Sequence, residues 1–202
     1  MKVIYFNTIS DKKIVRPACA AIGIFDGMHR GHQYLLGAML RKAATLKAQS
    51  MVITFFPHPV HVLRPDIRLG YMVSFAHRLR LLERAGVQVC VIIPFTRQFA
   101  LIDPQAFIRD VLVKRLRVRA IFTGEDFRFG RDRAGDVELF KQLASVYGYQ
   151  MYAVPALASG GHPISSTRIR GLITAGELGA ARRLLGRPFS VLGKVIRGRG
   201  RG

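Results

Sequence analysis

The feature that most constrains the fold is a regular alternation of short apolar runs with longer segments whose apolar residues recur at helical spacing. The apolar runs predict five strands, over residues 18–25, 51–56, 87–95, 120–123 and 149–154. The segments between them predict four helices, over residues 33–47, 74–85, 104–116 and 136–147. This alternation is typical of a parallel sheet with helices on both faces, so we predict a doubly wound α/β domain.

Both ends of the chain depart from this alternation. Residues 1–5 predict an additional edge strand before the first of the five. After the fifth strand, a loop rich in helix breakers at 159–163 precedes two short helices, predicted over 164–174 and 177–185. Residues 191–196 resemble a single strand without a partner, and the chain then ends in alternating Arg and Gly. We therefore expect a short C-terminal helical segment after the sheet.

The charge balance is unusual. The 202 residues include 32 Lys and Arg against 12 Asp and Glu, a formal net charge of +20. Such an excess attracts anions, which include nucleotides, nucleic acids and acidic membranes. Half of the residues are apolar and 22% are charged, which excludes a disordered, collagen-like or coiled-coil chain. Charge alone does not choose among the three classes of anion.

The sequence gives no sign of a membrane segment or of a disulfide framework. No apolar run approaches the roughly 18–20 residues of a membrane helix, and the N-terminal apolar segment is too short for a signal peptide. Cys19 and Cys90 lie within apolar runs, without zinc or redox spacing, which is typical of buried reduced thiols. We expect a soluble cytoplasmic protein with no membrane partner.

The strongest chemical signal lies where the first strand runs into a helix, at residues 23–32 with the sequence GIFDGMHRGH. Its three glycines let the backbone approach a ligand closely, and the N–H groups of the new helix face an anion. His29 and His32 are three residues apart, so both imidazoles point to one side of the first turn. Such a pair suits phosphate oxygens, because each imidazole donates a hydrogen bond and titrates near neutral pH.

Each part of this segment has a simpler interpretation when it is taken alone. The glycines fit a tight turn, and either histidine fits a polar residue at a helix start. A metal site lacks a third ligand at suitable spacing, and the chain has no phosphate-loop motif with its lysine. The histidine pair and the glycines together favour phosphate.

A second predicted helix start, with the sequence SSTRIR, carries a similar signal. Ser165, Ser166 and Thr167 can cap a helix whose N-terminus faces an anion. Arg168 and Arg170 add positive charge to the first turn, where it opposes the helix dipole and favours a compensating anion such as a triphosphate. The alternative is an ordinary capped helix with solvated arginines.

Two further segments follow strands. GEDFRFG, at residues 124–130, offers Asp126 as a hydrogen-bond acceptor beside two phenylalanines that also fit a core. TFFPHP, at residues 54–59, ends in a proline-flanked histidine that is typical of a rigid turn.

In this order, the four segments resemble the adenylyltransferase module of the bacterial bifunctional riboflavin kinase/FAD synthetase family. H-x-G-H at a strand-to-helix turn is the signature of the nucleotidyltransferase superfamily, and the other segments narrow it to the flavin branch. The resemblance covers nearly the whole chain and implies a Rossmann-like nucleotidyltransferase sheet. It also implies that ATP and FMN are converted to FAD and pyrophosphate, with Mg²⁺ as the cofactor that accompanies ATP.

The resemblance further implies roles for individual residues. Catalytic roles fall on His29, His32 and Arg168. The residues implied to bind the nucleotide are Gly23, Phe25, Asp26, Gly27, Gly31, Asp126, Ser165, Ser166, Thr167 and Arg170. The residues implied to line the flavin pocket are Pro57, His58, Pro59, Phe107, Val111 and Phe129. No residue is assigned to a metal.

The chain departs from the family pattern at several positions. Ile24 stands where asparagine is frequent, and His77 and Arg78 occupy a stretch that usually carries Glu-Lys. Residues 187–202 look like the linker and opening strand of the family's kinase domain. We therefore expect an adenylyltransferase domain over residues 1–186, a linker with a remnant first strand over 187–202, and no riboflavin kinase activity.

Other function classes remain open at this point. The nearest is a nucleotidyltransferase that joins ATP or CTP to phosphopantetheine, nicotinate mononucleotide or glycerol phosphate. Another is an inactive flavin-binding paralogue, and a third is a nucleic-acid-binding protein that uses the Arg-Gly tail and a basic cluster. That cluster consists of Arg109, Lys114, Arg115, Arg117 and Arg119. Because charged runs are usually solvated surfaces, we favour ATP and FMN as partners over nucleic acid. The sequence makes no prediction about the oligomeric state.

Overall fold

The structure, a computed structural model, describes residues 1–8 and 16–195. At its centre lies a six-stranded sheet in which every neighbouring pair of strands is parallel. The strands are β1 (Lys2–Tyr5), β2 (Ala18–Ile22), β3 (Gln49–Phe56), β4 (Val89–Pro94), β5 (Val118–Gly124) and β6 (Gln150–Val154). Their spatial order is β1-β4-β3-β2-β5-β6. The doubly wound α/β prediction is confirmed, and β1 is the predicted edge strand.

Helices connect the strands, and several begin at a capping side chain. The helices are α1 (Arg30–Thr45), α2 (Pro59–Leu63), α3 (Phe75–Arg84), α4 (Arg97–Ala100), α5 (Pro104–Ala106), α6 (Val137–Tyr147), α7 (Ser166–Thr174) and α8 (Leu178–Leu185). Ser74, Asp103 and Asp136 cap α3, α5 and α6 by accepting backbone N–H groups. The helix predicted over 104–116 is α-helical only in α5 and continues as a π-helix, Phe107–Arg115. No helix in the described ranges is long and apolar enough to cross a membrane.

The hydrophobic core has one layer on each face of the sheet. All five residues of β2 are buried, and they alternate between the two layers. Ala18, Ala20 and Ile22 pack in the layer that the π-helix and α6 cover, whereas Cys19 and Ala21 pack in the layer under α1 and α3. Helices on both faces therefore explain why the central strands are continuous apolar runs rather than alternating ones.

Both cysteines are buried free thiols, as their apolar surroundings predict. Burial raises the pKa of the Cys90 thiol to about 12, with the charge of Arg78 acting in the opposite direction. A thiol of that pKa is protonated and unreactive at neutral pH.

The sheet reverses its winding direction between β2 and β5. From β2 the chain proceeds through β3 to β4 on one side, and then crosses to β5 and β6 on the other side. In open α/β sheets, ligands bind at such a reversal, outside the carboxyl ends of the strands. The turn after β2 and the segment after β5 therefore share one edge of the sheet.

The C-terminal region forms a small third cluster. Helices α7 and α8 bury Ile164, Ile169 and Leu184 together with Met72, which confirms the predicted helical segment. Before α7, β7 (Ala158–Ser159) and β8 (His162–Pro163) form a hairpin that was not predicted.

The strand predicted over residues 191–196 is wrong for the part that the structure describes. Residues 191–195 have no regular secondary structure, and Val191 and Val195 are almost fully exposed. A single strand without a neighbouring edge leaves its N–H and C=O groups unpaired. Residue 196 and the Arg-Gly tail lie outside the described residues, and the domain boundary after residue 186 stays a prediction.

Candidate functional site

The turn between β2 and α1 is held in place on both sides. Gly27 has a φ of 73°, and a Cβ there would lie 2.6 Å from Cε of Met72. Phe25 also has a left-handed φ, of 56°. Thr54 of β3 donates a hydrogen bond from Oγ1 to the carbonyl oxygen of Ile24 over 3.2 Å. The turn is thus fixed at the carboxyl edge of the sheet, where the winding direction reverses.

The two histidines of this turn lie against each other. The Nδ1 atom of His29 accepts a hydrogen bond from the backbone N–H of His32 at 3.3 Å and so caps α1. Their rings stack with centroids 3.6 Å apart, which confirms that both imidazoles lie on one side of the first turn. A Cβ at Gly31 would lie 3.2 Å from the His29 ring. Because Nδ1 of His29 accepts, we assign the proton of the neutral ring to Nε2, which is then a donor.

Burial keeps both imidazoles neutral. It lowers the pKa of His29 to about 4, with Asp26 opposing the shift and Arg170 adding to it. It also lowers the pKa of His32 well below its usual value, and the charges of His29 and Arg78 act in the same direction. The expectation that the pair titrates near neutral pH is therefore wrong, because the rings are desolvated. At neutral pH they offer N–H groups rather than positive charge.

This burial predicts a pH dependence of stability. The unfolded chain protonates His29 near its ordinary pKa of 6.5, whereas the folded chain does so only near 4. The unfolded state therefore binds more protons in this window, and stability falls as the pH decreases from about 6.5 to about 4. We expect urea-unfolding midpoints to decline over this window less steeply in His29→Gln than in the parent chain. Equal slopes would contradict the assignment of this titration to His29.

Asp26 holds the turn from inside. Its side chain is 1% exposed and accepts the backbone N–H of Met72 with both carboxylate oxygens, at 3.2 and 3.1 Å. Arg170 of α7 pairs with the same carboxylate at 3.3 Å. Arg170 therefore has a carboxylate partner within the protein, whereas the sequence suggested that it needs an anionic ligand.

The start of α7 meets the start of α1. Ser165 caps α7 by accepting the backbone N–H of Arg168 at 3.2 Å, as predicted. The hydroxyl of Ser166 donates to the carbonyl oxygen of Asp26 at 3.4 Å. The Ile164 carbonyl oxygen would lie 3.7 Å from a Cβ at Gly31. Two helix N-termini, both favourable for an anion, thus converge at one place.

Two predicted residues of this helix point elsewhere or into solvent. The Nη1 atom of Arg168 donates to the carbonyl oxygens of Ser159 and His162 in the hairpin, at 3.0 and 3.1 Å. Thr167 is exposed. Arg168 therefore joins α7 to the hairpin in this structure, and its contact with phosphate stays a prediction.

Asp126 lies at the same edge, after β5. The carboxylate of Asp126 is exposed, and its Oδ1 lies 2.9 Å from where a Cβ of Gly124 would be. Any side chain at Gly124 would displace this carboxylate. Because β5 pairs directly with β2, Asp126 and Gly23 follow neighbouring strands. Both therefore lie at the crevice outside the carboxyl ends of these strands.

The predicted flavin residues fall into two groups. Near β3, Pro57 is exposed, while His58 and Pro59 are partly buried. His58 caps α2 by accepting the Val60 N–H on Nδ1, and its own backbone N–H donates to the Tyr71 hydroxyl at 2.8 Å. Burial lowers the pKa of His58 to about 4, and Arg170, His61 and Arg78 add to this effect while Asp26 opposes it.

The second group lies in the core layer under the π-helix. Phe107, Val111 and Phe129 are 2%, 6% and 7% exposed. A chain of ring contacts runs from Phe55, at the end of β3, through Phe99 and Phe107 to Phe129. This series of contacts begins two residues before Pro57 in the sequence, and the contact of either group with flavin stays a prediction.

Three residues that the motifs do not mark also belong to the site. Arg187 donates from Nη2 to the carbonyl oxygen of Gly27 at 2.9 Å. Tyr71 contacts His58 as described above. Arg78 of α3 is fully buried. Its spacing in the sequence, three and four residues before Leu81 and Leu82, places it on the buried face of the helix.

Most of the chain matches a known protein family. Residues 11–168 match the family model described as FAD synthetase. The chain belongs to the FAD synthetase family. This confirms the family that the four segments predict.

Curated relatives of this FAD synthetase-family chain are longer proteins. The bifunctional riboflavin kinase/FMN adenylyltransferase of Escherichia coli K12 is 37% identical over 177 residues, which cover 88% of this chain and 56% of the relative. That of Listeria monocytogenes is 35% identical over 184 residues, covering 90% of this chain and 58% of the relative. The chain spans little more than half the length of these relatives.

Solved structures share the fold of this FAD synthetase-family chain. A macrolide-efflux protein from Streptococcus pneumoniae has a TM-score of 0.79 and 31% identity, covering 94% of this chain and 63% of that one. Pantoate-β-alanine ligase from Francisella tularensis has a TM-score of 0.55 and 17% identity, covering 92% and 78%. The second likeness concerns the fold alone.

Proposed function

We propose that this chain transfers the AMP group of ATP to FMN. An oxygen of the FMN phosphate forms a bond to the α-phosphorus of ATP, the bond from that phosphorus to the oxygen bridging to the β-phosphate breaks, and pyrophosphate leaves. FAD is the other product. The FMN phosphate is already ionised at neutral pH, so the step needs no general base. Positioning of the two anions and stabilisation of developing charge are then the tasks of the protein.

The observation that carries this proposal is the meeting of two helix N-termini around a pair of neutral imidazoles. Backbone N–H groups at helix starts and the N–H of a neutral imidazole bind phosphate oxygens. We assign His29 and His32, with the start of α1, to the α- and β-phosphates and to the departing pyrophosphate. Gly27 and Gly31 leave room for the side chains of Met72 and His29, which pack against them and shape this turn.

The start of α7 and the segment after β5 complete the proposed nucleotide site. Ser165, Ser166 and Thr167 are assigned to the β- and γ-phosphates, together with Arg168 when it turns from the hairpin. Asp126 is assigned to the nucleoside. The excess positive charge of the chain steers both polyanionic substrates toward the crevice.

The flavin ring is assigned to the surface between the turn at Pro57, His58 and Pro59 and the rings of Phe107 and Phe129. These side chains are mainly apolar and aromatic, which suits a planar ring system. A pocket for the ring between the two groups requires movement of the closely packed phenylalanines.

Mg²⁺ is proposed to arrive with ATP. Among the described residues, no group of three or more His, Cys, Asp or Glu side chains is placed to hold a metal ion. Mg²⁺ commonly keeps water ligands and binds through substrate phosphates, so its binding with ATP does not require such a group. When bound, the ion would neutralise part of the phosphate charge.

The proposal is tested by chromatographic detection of FAD after incubation of the chain with FMN, ATP and Mg²⁺, with riboflavin in a parallel reaction. We expect FAD from FMN and no product from riboflavin. Bound FMN without any FAD would contradict the transfer reaction. FMN made from riboflavin would contradict the proposed lack of kinase activity.

A cytoplasmic location is consistent with these substrates and stays a prediction.

A further inference from the structure

Arg78 is an unusual residue for the interior of a protein. Its side chain is fully buried on α3, and none of its three guanidinium nitrogens has a hydrogen-bond partner among the described residues. The rings of Tyr71 and Phe75 lie 5.3 and 5.4 Å from the guanidinium carbon. A buried charge without hydrogen bonds destabilises a folded protein. Its presence therefore points to a function other than stability.

The charges around Arg78 do not balance. Asp26 is the buried carboxylate of this region, and it is already paired with Arg170. His29 and His32 are neutral at neutral pH because burial lowers their pKa values. One buried carboxylate therefore faces two guanidinium groups, and the Nε atom of Arg170 also lacks a partner among the described residues. The cluster has an excess positive charge that suits an anion.

Arg78 acts electrostatically on a histidine of each proposed substrate site. It helps to lower the pKa of His32 on the nucleotide side, where burial and His29 have larger effects. It also helps to lower the pKa of His58 on the flavin side, where burial, Arg170 and His61 have larger effects. Its ring contact with Tyr71 adds a direct link, because the Tyr71 hydroxyl accepts the backbone N–H of His58.

The proposed flavin site itself supplies no positive charge. Five of its six residues are proline, valine or phenylalanine, and the sixth, His58, is neutral at neutral pH because its pKa is about 4. The phosphate of FMN carries between one and a half and two negative charges at neutral pH. This group therefore needs a cation from another element. We propose that Arg78 binds the phosphate of the flavin acceptor, the group that attacks ATP, an inference that rests on the function proposed above.

The phosphate reaches Arg78 when the Tyr71 ring moves aside. Residues 64–74, between α2 and α3, have no helix or strand, and most of their side chains up to Gly70 are exposed. Rotation of Tyr71 would break one hydrogen bond, that from His58, and would remove one of the two rings that lie over the guanidinium. The planar guanidinium then forms paired hydrogen bonds with two phosphate oxygens.

The test compares the binding of FMN with that of riboflavin, which lacks the phosphate, by quenching of flavin fluorescence. The variants are Arg78→Met, which removes the charge at similar length, and Arg78→Lys, which keeps the charge without the paired geometry. Arg80→Met is the matched control, because Arg80 is an exposed arginine on the same helix.

We expect Arg78→Met to weaken FMN binding about 10- to 100-fold, the range for loss of a hydrogen bond to a charged group, and to leave riboflavin binding unchanged. Arg78→Lys is expected to weaken FMN binding less, again without effect on riboflavin. The melting temperature of the free Arg78→Met chain is expected to equal or exceed that of the parent, because a buried unpaired charge is removed. Arg80→Met changes none of these quantities.

A structural role for Arg78 gives a different result. Equal loss of FMN and riboflavin binding, no loss of either, or a lower melting temperature or failed folding of Arg78→Met would each overturn the inference. The test is separable from the proposed function. A parent chain that prefers FMN through Arg78 but makes no FAD refutes only the transfer reaction. A chain that makes FAD while Arg78→Met keeps the full preference for FMN refutes only the role of Arg78.

Discussion

Replacement of His32 with alanine is expected to lower kcat for FAD formation about 10²–10³-fold, the typical cost of removing one preorganised hydrogen-bond donor from a reacting charge. The imidazole ring of His32 is positioned by stacking on the His29 ring and by contact with the Phe25 ring. Because the ring is neutral, the loss concerns a directed N–H group and not a charge. Steady-state kinetics with saturating FMN and varied ATP measure the effect.

Two further variants make this result specific. His32→Asn keeps a side-chain N–H donor and is expected to recover part of the lost rate. His162→Ala changes an exposed histidine of the hairpin and is expected to leave kcat unchanged, since the hairpin uses the carbonyl oxygen of this residue. A near-normal kcat in His32→Ala, with melting temperature unchanged, would remove His32 from the mechanism.

The parts of the fold that depend on local signals were predictable from the sequence. Apolar runs marked the central strands, and Ser74, Asp103 and Asp136 marked helix starts because their short side chains accept the N–H groups of the first turn. The start of α1 was predicted three residues too late. His29 caps this helix, and histidine is not among the usual capping residues.

Properties of the site that depend on distant contacts were not predictable. The spacing of His29 and His32 indicates that they lie together, but their low pKa values arise from burial by segments far away in the chain. Arg168 has a partner in a hairpin whose pairing leaves no pattern in the sequence. Arg187, which the resemblance assigns to a linker, instead holds the carbonyl oxygen of Gly27.

Asp26→Asn is expected to destabilise the chain by about 3–5 kcal/mol, the usual cost of removing one partner of a buried ion pair. The amide can still accept the Met72 N–H, so the shape of the turn changes little. The cost arises because Arg170 and Arg78 then share a buried region that has lost its carboxylate. Urea unfolding monitored by circular dichroism measures the difference in free energy.

The matched control for Asp26 is Asp110→Asn, which removes an exposed carboxylate that pairs with Arg109 and Lys114. Solvent screens such surface pairs, so the unfolding midpoint of this variant should change little. A double variant, Asp26→Asn with Arg170→Met, should recover much of the lost stability, because it also removes the charge left unpaired. If Asp26→Asn costs no more than Asp110→Asn, or the double variant loses the sum of both single effects, the buried pair is not what holds the turn beneath the two histidines.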